Sequence, residues 1–159
     1  MPRCEDSNGV AAVSPEMGRY NVKLRVIIAD DHPGMLEWLV AAVRKECEVV
    51  AAVQDGAAAL EAAARLDPDI IVLDCAMSPM NGFEVMRALQ ETGARTAVVF
   101  VTGHSDPELA KAALAEGALG FLVKFRLAQD LLPAIRFAGQ KVTSRNPSQA
   151  QTARNLTGQ

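Results

Sequence analysis

The sequence predicts an α/β protein, a doubly wound five-stranded parallel sheet of strand order 2-1-3-4-5 with five helices. Three observations lead there. From residue 23 onward, short β-branched runs alternate five times with longer Ala/Leu-rich stretches of helical period, the pattern of strands joined by crossover helices. The first, third and fourth runs are almost continuously apolar, as strands covered on both faces are. Polar residues able to do chemistry follow the first, third, fourth and fifth runs directly, at the carboxyl ends where open α/β sheets collect functional groups.

The first strand is expected over 24–29 (LRVIIA) and the first helix over 33–46. A second strand over 48–53 (EVVAAV) leads to a helix over 56–66, with Asp55 placed as its N-cap. The third strand, 69–73 (DIIVL), precedes a helix over 82–92, which has Asn81 before it and Gly93 after it. The fourth, 97–101 (AVVFV), precedes a helix over 106–116 that opens with Asp106-Pro107, a capping side chain followed by Pro at its favoured first position. Gly93 and Gly117 stand where a left-handed residue commonly ends a helix. The fifth strand is expected over 119–123 (LGFLV) and the last helix over 128–139. Pro133 leaves two readings of that helix: a start near residue 128 loses the bond to the Gln129 carbonyl and kinks, whereas a start with Asp130 as N-cap puts Pro133 in the first turn.

With 159 residues, half of them hydrophobic and 22% charged, the chain has material for one core. The formal net charge of −3 argues against nucleic-acid binding by this chain, because phosphates are neutralised by clustered Lys and Arg. Charge is unevenly spread. Residues 23–139 hold eleven bases and sixteen acids, and residues 140–159 three bases and no acid. The expected organisation is therefore a disordered tail over 1–22, one domain over 23–139, and a basic polar tail or linker over 140–159. Cys4, Cys47 and Cys75 form no CxxC or Cys/His pattern, which argues against a zinc site or a disulfide framework and for a reducing, cytoplasmic setting. No stretch reads as a signal peptide or a membrane span.

The strand ends carry Asp30-Asp31, Asp74, Thr102-Gly103 and Lys124. With the first and third strands adjacent, three carboxylates converge on one sheet edge. They repel one another unless a cation lies among them, and Mg2+ suits a few carboxylate oxygens that leave room for water and phosphate. Lys124 adds a point charge and Thr102 a hydroxyl on the far side of an incoming phosphoryl group. The set reads as a phosphoryl-acceptor site with one Asp as nucleophile.

The segments IIADDHP (27–33), IIVLDCAMSPMNGFEV (70–85), VVFVTGHSD (98–106) and GALGFLVK (117–124) resemble, in order and spacing, the receiver domain of two-component response regulators. The resemblance covers about residues 23–139 and is nearest to receivers usually followed by a helix-turn-helix output domain. It implies the flavodoxin-like fold and a phosphorylation switch rather than a conventional enzyme. By position it makes Asp74 the phosphoacceptor, Asp31 a direct Mg2+ ligand, Asp30 a water-mediated one, and the Ala76 carbonyl a further ligand. Thr102 closes on the phosphoryl group, Lys124 pairs with it, and Phe121 is the aromatic that turns inward as Thr102 moves. The implied phosphodonor is a sensor histidine kinase or a histidine phosphotransfer protein, with room for a downstream protein partner and a homodimer. The alternative function is a receiver-fold scaffold acting without phosphorylation. A DxD phosphatase and a flavin carrier need first-strand loops that Ala29-Asp30-Asp31-His32-Pro33-Gly34 does not supply.

The sequence departs from the family pattern after Asp74 and after Lys124. Met77-Ser78-Pro79 delays the usual proline by one residue, which should reshape the loop, and Phe125 replaces a common proline, so a cis bond is not expected there. His32 is read as a helix-start residue rather than a ligand, His104 as solvent-facing, and Cys75 as a packing residue. In the first helix Met35, Leu36, Trp38, Leu39, Val40, Ala42 and Val43 make an apolar arc wider than a helix on a sheet needs. The surplus is either scattered surface apolar area or a partner-binding patch centred on Trp38 and Leu36.

Overall fold

Successive residues of a strand point to opposite faces, so strands as apolar as 70–74 need a helical cover on both sides of the sheet. The computed structural model, which describes residues 23–145, supplies one. The strands β1 (Arg25–Ala29), β2 (Glu48–Val53), β3 (Ile70–Asp74), β4 (Ala97–Thr102) and β5 (Gly120–Val123) alternate with five helices. These are α1 (Pro33–Val43), α2 (Gly56–Leu66), α3 (Gly82–Glu91), α4 (Pro107–Ala115) and α5 (Leu127–Arg145). All pairings are parallel and the order is β2-β1-β3-β4-β5, the flavodoxin-like topology expected.

The two core layers follow the pleat. Val26, Ile28, Ile70, Val72, Val99 and Val101 meet Leu36, Leu39 and Val43 of α1 and Leu127, Leu131, Ile135, Ala138 and Val142 of α5. The alternate residues Ile27, Ala29, Ile71, Leu73, Val98 and Phe100 meet α2, α3 and α4, largely through alanines on α2 and through Val85, Met86 and Leu89 on α3.

The punctuation behaves as the sequence suggests. Asp55 accepts from the Ala58 amide at 2.8 Å, Asn81 and Glu84 form a reciprocal capping box, and Asp106 caps α4 ahead of Pro107. Gly93 and Gly117 have φ of 78° and 114°. Three ends differ. Helix α1 stops at Val43, and a turn through 44–46 returns the chain so that Cys47 is buried. Asp67, at φ 50°, ends α2 in the left-handed region that Asp tolerates better than most side chains.

The third is α5, which differs from the expected span. A 3-10 turn over Lys124–Arg126 feeds directly into it, so Asp130 lies in the first turn instead of capping, and Pro133 is interior. The Gln129 carbonyl therefore has no amide partner at residue 133. The helix also continues six residues beyond the expected end at 139, because Ala138 and Val142 prolong the buried stripe of Leu131 and Ile135. Residues 140–145, expected in the tail or linker, thus continue the last helix. The expected tail over 1–22, the remainder over 146–159 and Cys4 lie outside the described residues.

Candidate functional site

Because β1 and β3 are hydrogen-bonded neighbours, the residues that end them share an edge. Asp30 follows β1 directly and Asp74 is the last residue of β3. Main-chain bonds fix both: the Asp30 amide donates to the Val53 carbonyl at 3.1 Å, and the Cys75 amide to that of Val101 at 3.0 Å. Across the sheet Asp74 is level with Val101, and Thr102 with Val123. Thr102 therefore comes one step beyond the level of Asp74, and Lys124, directly after β5, two steps beyond it.

Side chains close the arrangement. Lys124 Nζ lies 3.1 Å from Asp30 Oδ2 and 3.5 Å from Asp74 Oδ2. Asp30 Oδ1 accepts from the His32 amide at 2.8 Å, and Asp74 Oδ1 from the Ala76 amide at 3.2 Å. Thr102 Oγ1 accepts from the His104 amide at 3.3 Å, which leaves its hydroxyl proton free to donate. Asp30, Asp74 and Thr102 are buried, while one third of the Asp31 side chain is exposed.

Burial pushes the Asp74 carboxyl up from its ordinary pKa; the Ala76 amide opposes the shift, Asp30 adds to it, Lys124 opposes it and Asp31 adds to it. The neighbouring Cys75 thiol is pushed up to about 12, mainly by burial and then by the Asp74 charge. A thiol so protonated packs rather than reacts, as expected.

Two carboxylate oxygens, Asp30 Oδ2 and Asp31 Oδ1, are buried without a hydrogen bond. Ligand atoms of Asp30, Asp31, His32 and Asp74 all lie within 4.8 Å of one another. Three carboxylates gathered this closely around a single ammonium fit a small divalent cation.

Thus Asp30, Asp31, Asp74, Ala76, Thr102 and Lys124 assemble at one edge. Phe121 stands apart, half-buried against the second core layer, its ring centroid 6.2 Å from that of Phe100, which stacks on Phe83 at 4.7 Å. The peptide between Ser78 and Pro79 is cis, and that between Lys124 and Phe125 is trans, as the missing proline implied. Trp38 is 42% exposed on α1. Leu36 is not: it is buried in the first core layer, so the partner surface expected at both residues is corrected to exclude Leu36.

Two residues take positions that the sequence reading passed over. Phe125, 78% exposed, lines with Trp38, Gly34, Met35 and Lys124 a cleft of about 320 Å³ beside the acidic edge. His32 precedes α1 as expected, but its ring also faces the acids, with Nδ1 3.1 Å from Asp31 Oδ1. A proline replaced by an aromatic and an imidazole directly after paired acids were the available signals.

The family profile of the response regulator receiver domain matches residues 26–136. The chain is 36% identical over 115 residues to the transcriptional regulatory protein NarL of Mycobacterium tuberculosis, covering 71% of this chain and 53% of that protein. It is 35% identical over 138 residues to the nitrate/nitrite response regulator NarP of Escherichia coli, covering 84% and 64%. It thus spans between half and two thirds of the length of these curated relatives. Among solved structures, the signal receiver domain of M. tuberculosis NarL superposes with a TM-score of 0.61 at 38% identity, covering 64% of this chain and 84% of that one. The response regulator domain of Thermotoga maritima CheB gives 0.69 at 28%, covering 74% and 97%. With the sheet order, the acidic edge and this match across most of the described residues, the chain belongs to the response regulator receiver domain family of two-component signalling.

Proposed function

We propose that the domain is a phosphorylation switch in which Asp74 takes the phosphoryl group from a phosphohistidine on a sensor kinase or phosphotransfer protein. The observation that carries this reading is the convergence of Asp30, Asp31 and Asp74 around Lys124, with two buried carboxylate oxygens lacking hydrogen bonds. An Asp74 oxygen forms the new bond to phosphorus as the bond from phosphorus to the donor nitrogen breaks. Lys124 offsets charge on the transferred group, and the Thr102 hydroxyl donates to one of its oxygens. Asp30, Asp31, Asp74 and the Ala76 carbonyl would hold Mg2+, which when bound neutralises acid and phosphoryl charge together.

Movement of Thr102 onto the phosphoryl group would leave space for Phe121 to turn inward and change the surface offered to a downstream partner. Support for this step is the half-burial of Phe121 against Phe100, two residues before Thr102 on β4. The relatives named above are regulators of transcription or of nitrate/nitrite response, and we read the described residues as the phosphorylation-controlled part of such a regulator.

The test is incubation with acetyl phosphate followed by intact mass. Wild type should gain one phosphoryl group in the presence of Mg2+ and none in EDTA, and Asp74→Asn should gain none while keeping its circular dichroism. Labelling of the Asn variant would identify another nucleophile. An unlabelled wild type would return the domain to the scaffold reading.

A further inference from the structure

We propose that His32 is a ligand of the cation site and shifts its selectivity toward late first-row divalent metals such as Ni2+. This inference rests on the reading of Asp30, Asp31 and Asp74 as a cation site. His32 Nδ1 lies 3.1 Å from Asp31 Oδ1 and 3.6 Å from Asp30 Oδ1, and it belongs to the set of four residues whose ligand atoms all fall within 4.8 Å of one another. Two carboxylate oxygens of this set lack a hydrogen bond: Asp30 Oδ2, which faces the Lys124 ammonium at 3.1 Å, and Asp31 Oδ1, the oxygen 3.1 Å from His32 Nδ1.

The backbone presets the imidazole. The His32 amide donates to Asp30 Oδ1 at 2.8 Å, and its carbonyl accepts the first intrahelical bond, from the Leu36 amide at 2.9 Å. Pro33 fixes the next residue in the opening turn of α1. The ring itself makes no cap bond and its side chain is 74% exposed, so it sits on the solvent side of the acids, where a hydrated ion arrives.

Carboxylate, carbonyl and water oxygens suit Mg2+, whereas a neutral imidazole nitrogen suits later transition metals and adds little for a hard cation. A mixed set of three carboxylates and one imidazole is therefore a different site from an all-oxygen one. Its discrimination resides in a single side chain, which makes it separable by mutation.

Isothermal titration of the metal-free chain with Mg2+ and with Ni2+, on wild type, His32→Gln and His104→Gln, tests the proposal. His32→Gln should weaken Ni2+ by about tenfold or more while moving Mg2+ by less than about threefold. His104→Gln should change neither. Pulsed electron paramagnetic resonance of bound Mn2+ should show imidazole nitrogen modulation in wild type that disappears in His32→Gln. Equal losses for both cations, tighter Mg2+ binding by His32→Gln, or no nitrogen modulation would overturn the assignment while leaving the acidic site intact. If Mg2+ and Ni2+ both fail to bind wild type, the cation-site reading falls and this inference with it.

Discussion

Asp30 and Asp74 are buried beside each other, with one ammonium, that of Lys124, between them. Each acid loses hydration on folding, and a single cation cannot satisfy three negative charges. For Asp74 the consequence has a definite sign. Burial holds its folded pKa above the unfolded value, so its ionised form is disfavoured in the native state. The cost is absent below the unfolded pKa, grows as pH rises between the two values, and is fully present above the folded one. Asp74→Asn cannot ionise, so in cation-free buffer it should be more stable than wild type at neutral pH, by on the order of 1 kcal/mol. The gap should close as pH falls toward the unfolded carboxylate range. Urea denaturation of both proteins from pH 4 to pH 8 checks this, and a constant gap would place its origin outside ionisation. The acids, Thr102 and Lys124 were legible in the sequence because each directly ends an apolar run, where topology alone fixes location. The burial of Leu36 was not legible. Seven apolar residues on one helix define an arc wider than the strip that touches the sheet, and only the packed structure tells which edge of that arc faces inward.

At the scale of elements, the site depends on how closely α3 approaches β3. Gly82 opens α3, its amide donates to the Cys75 carbonyl at 3.2 Å, and an added Cβ would lie 2.7 Å from the Asp74 carbonyl oxygen and 3.0 Å from the Phe100 ring. Those neighbours are main chain and a fully buried ring, so neither can give way without moving the acceptor residue. Gly82→Ala should therefore cost about 1–3 kcal/mol in urea denaturation and slow acetyl phosphate labelling of Asp74. Unchanged stability would mean that α3 can withdraw from the strand. The far end of the chain shows what periodicity reads poorly. Residues 140–145 are polar at five of six positions, and the one apolar side chain, Val142, only registers as core once α5 is seen to reach it four residues after Ala138. Val142→Ala should destabilise the domain by about 1–2 kcal/mol, whereas a substitution in a solvated tail would cost nothing.

Across the whole molecule the sheet separates two tasks. Helices α1 and α5 cover the face whose upper rim is the cleft of Trp38 and Phe125, and α2, α3 and α4 cover the face that holds Phe83, Phe100 and Phe121. A donor arriving at the cleft would thus meet the acidic edge from one side of the sheet while any response through Phe121 develops on the other. The cleft includes Lys124 itself, so a protein seated there brings its histidine to the acids without crossing α3 or α4. Trp38 and Phe125 are the exposed aromatic residues of that rim, and such side chains contribute disproportionately when a partner buries them. Trp38→Ala should weaken phosphotransfer from a cognate histidine donor by about 1–2 kcal/mol, read as a fall in kcat/KM, while labelling by acetyl phosphate stays near wild type. The two donors need the same chemistry at Asp74 and differ only in the surface they touch, so the comparison isolates docking. Equal loss with both would make Trp38 a support of the fold, and no loss with either would remove the cleft from the path of the phosphoryl group.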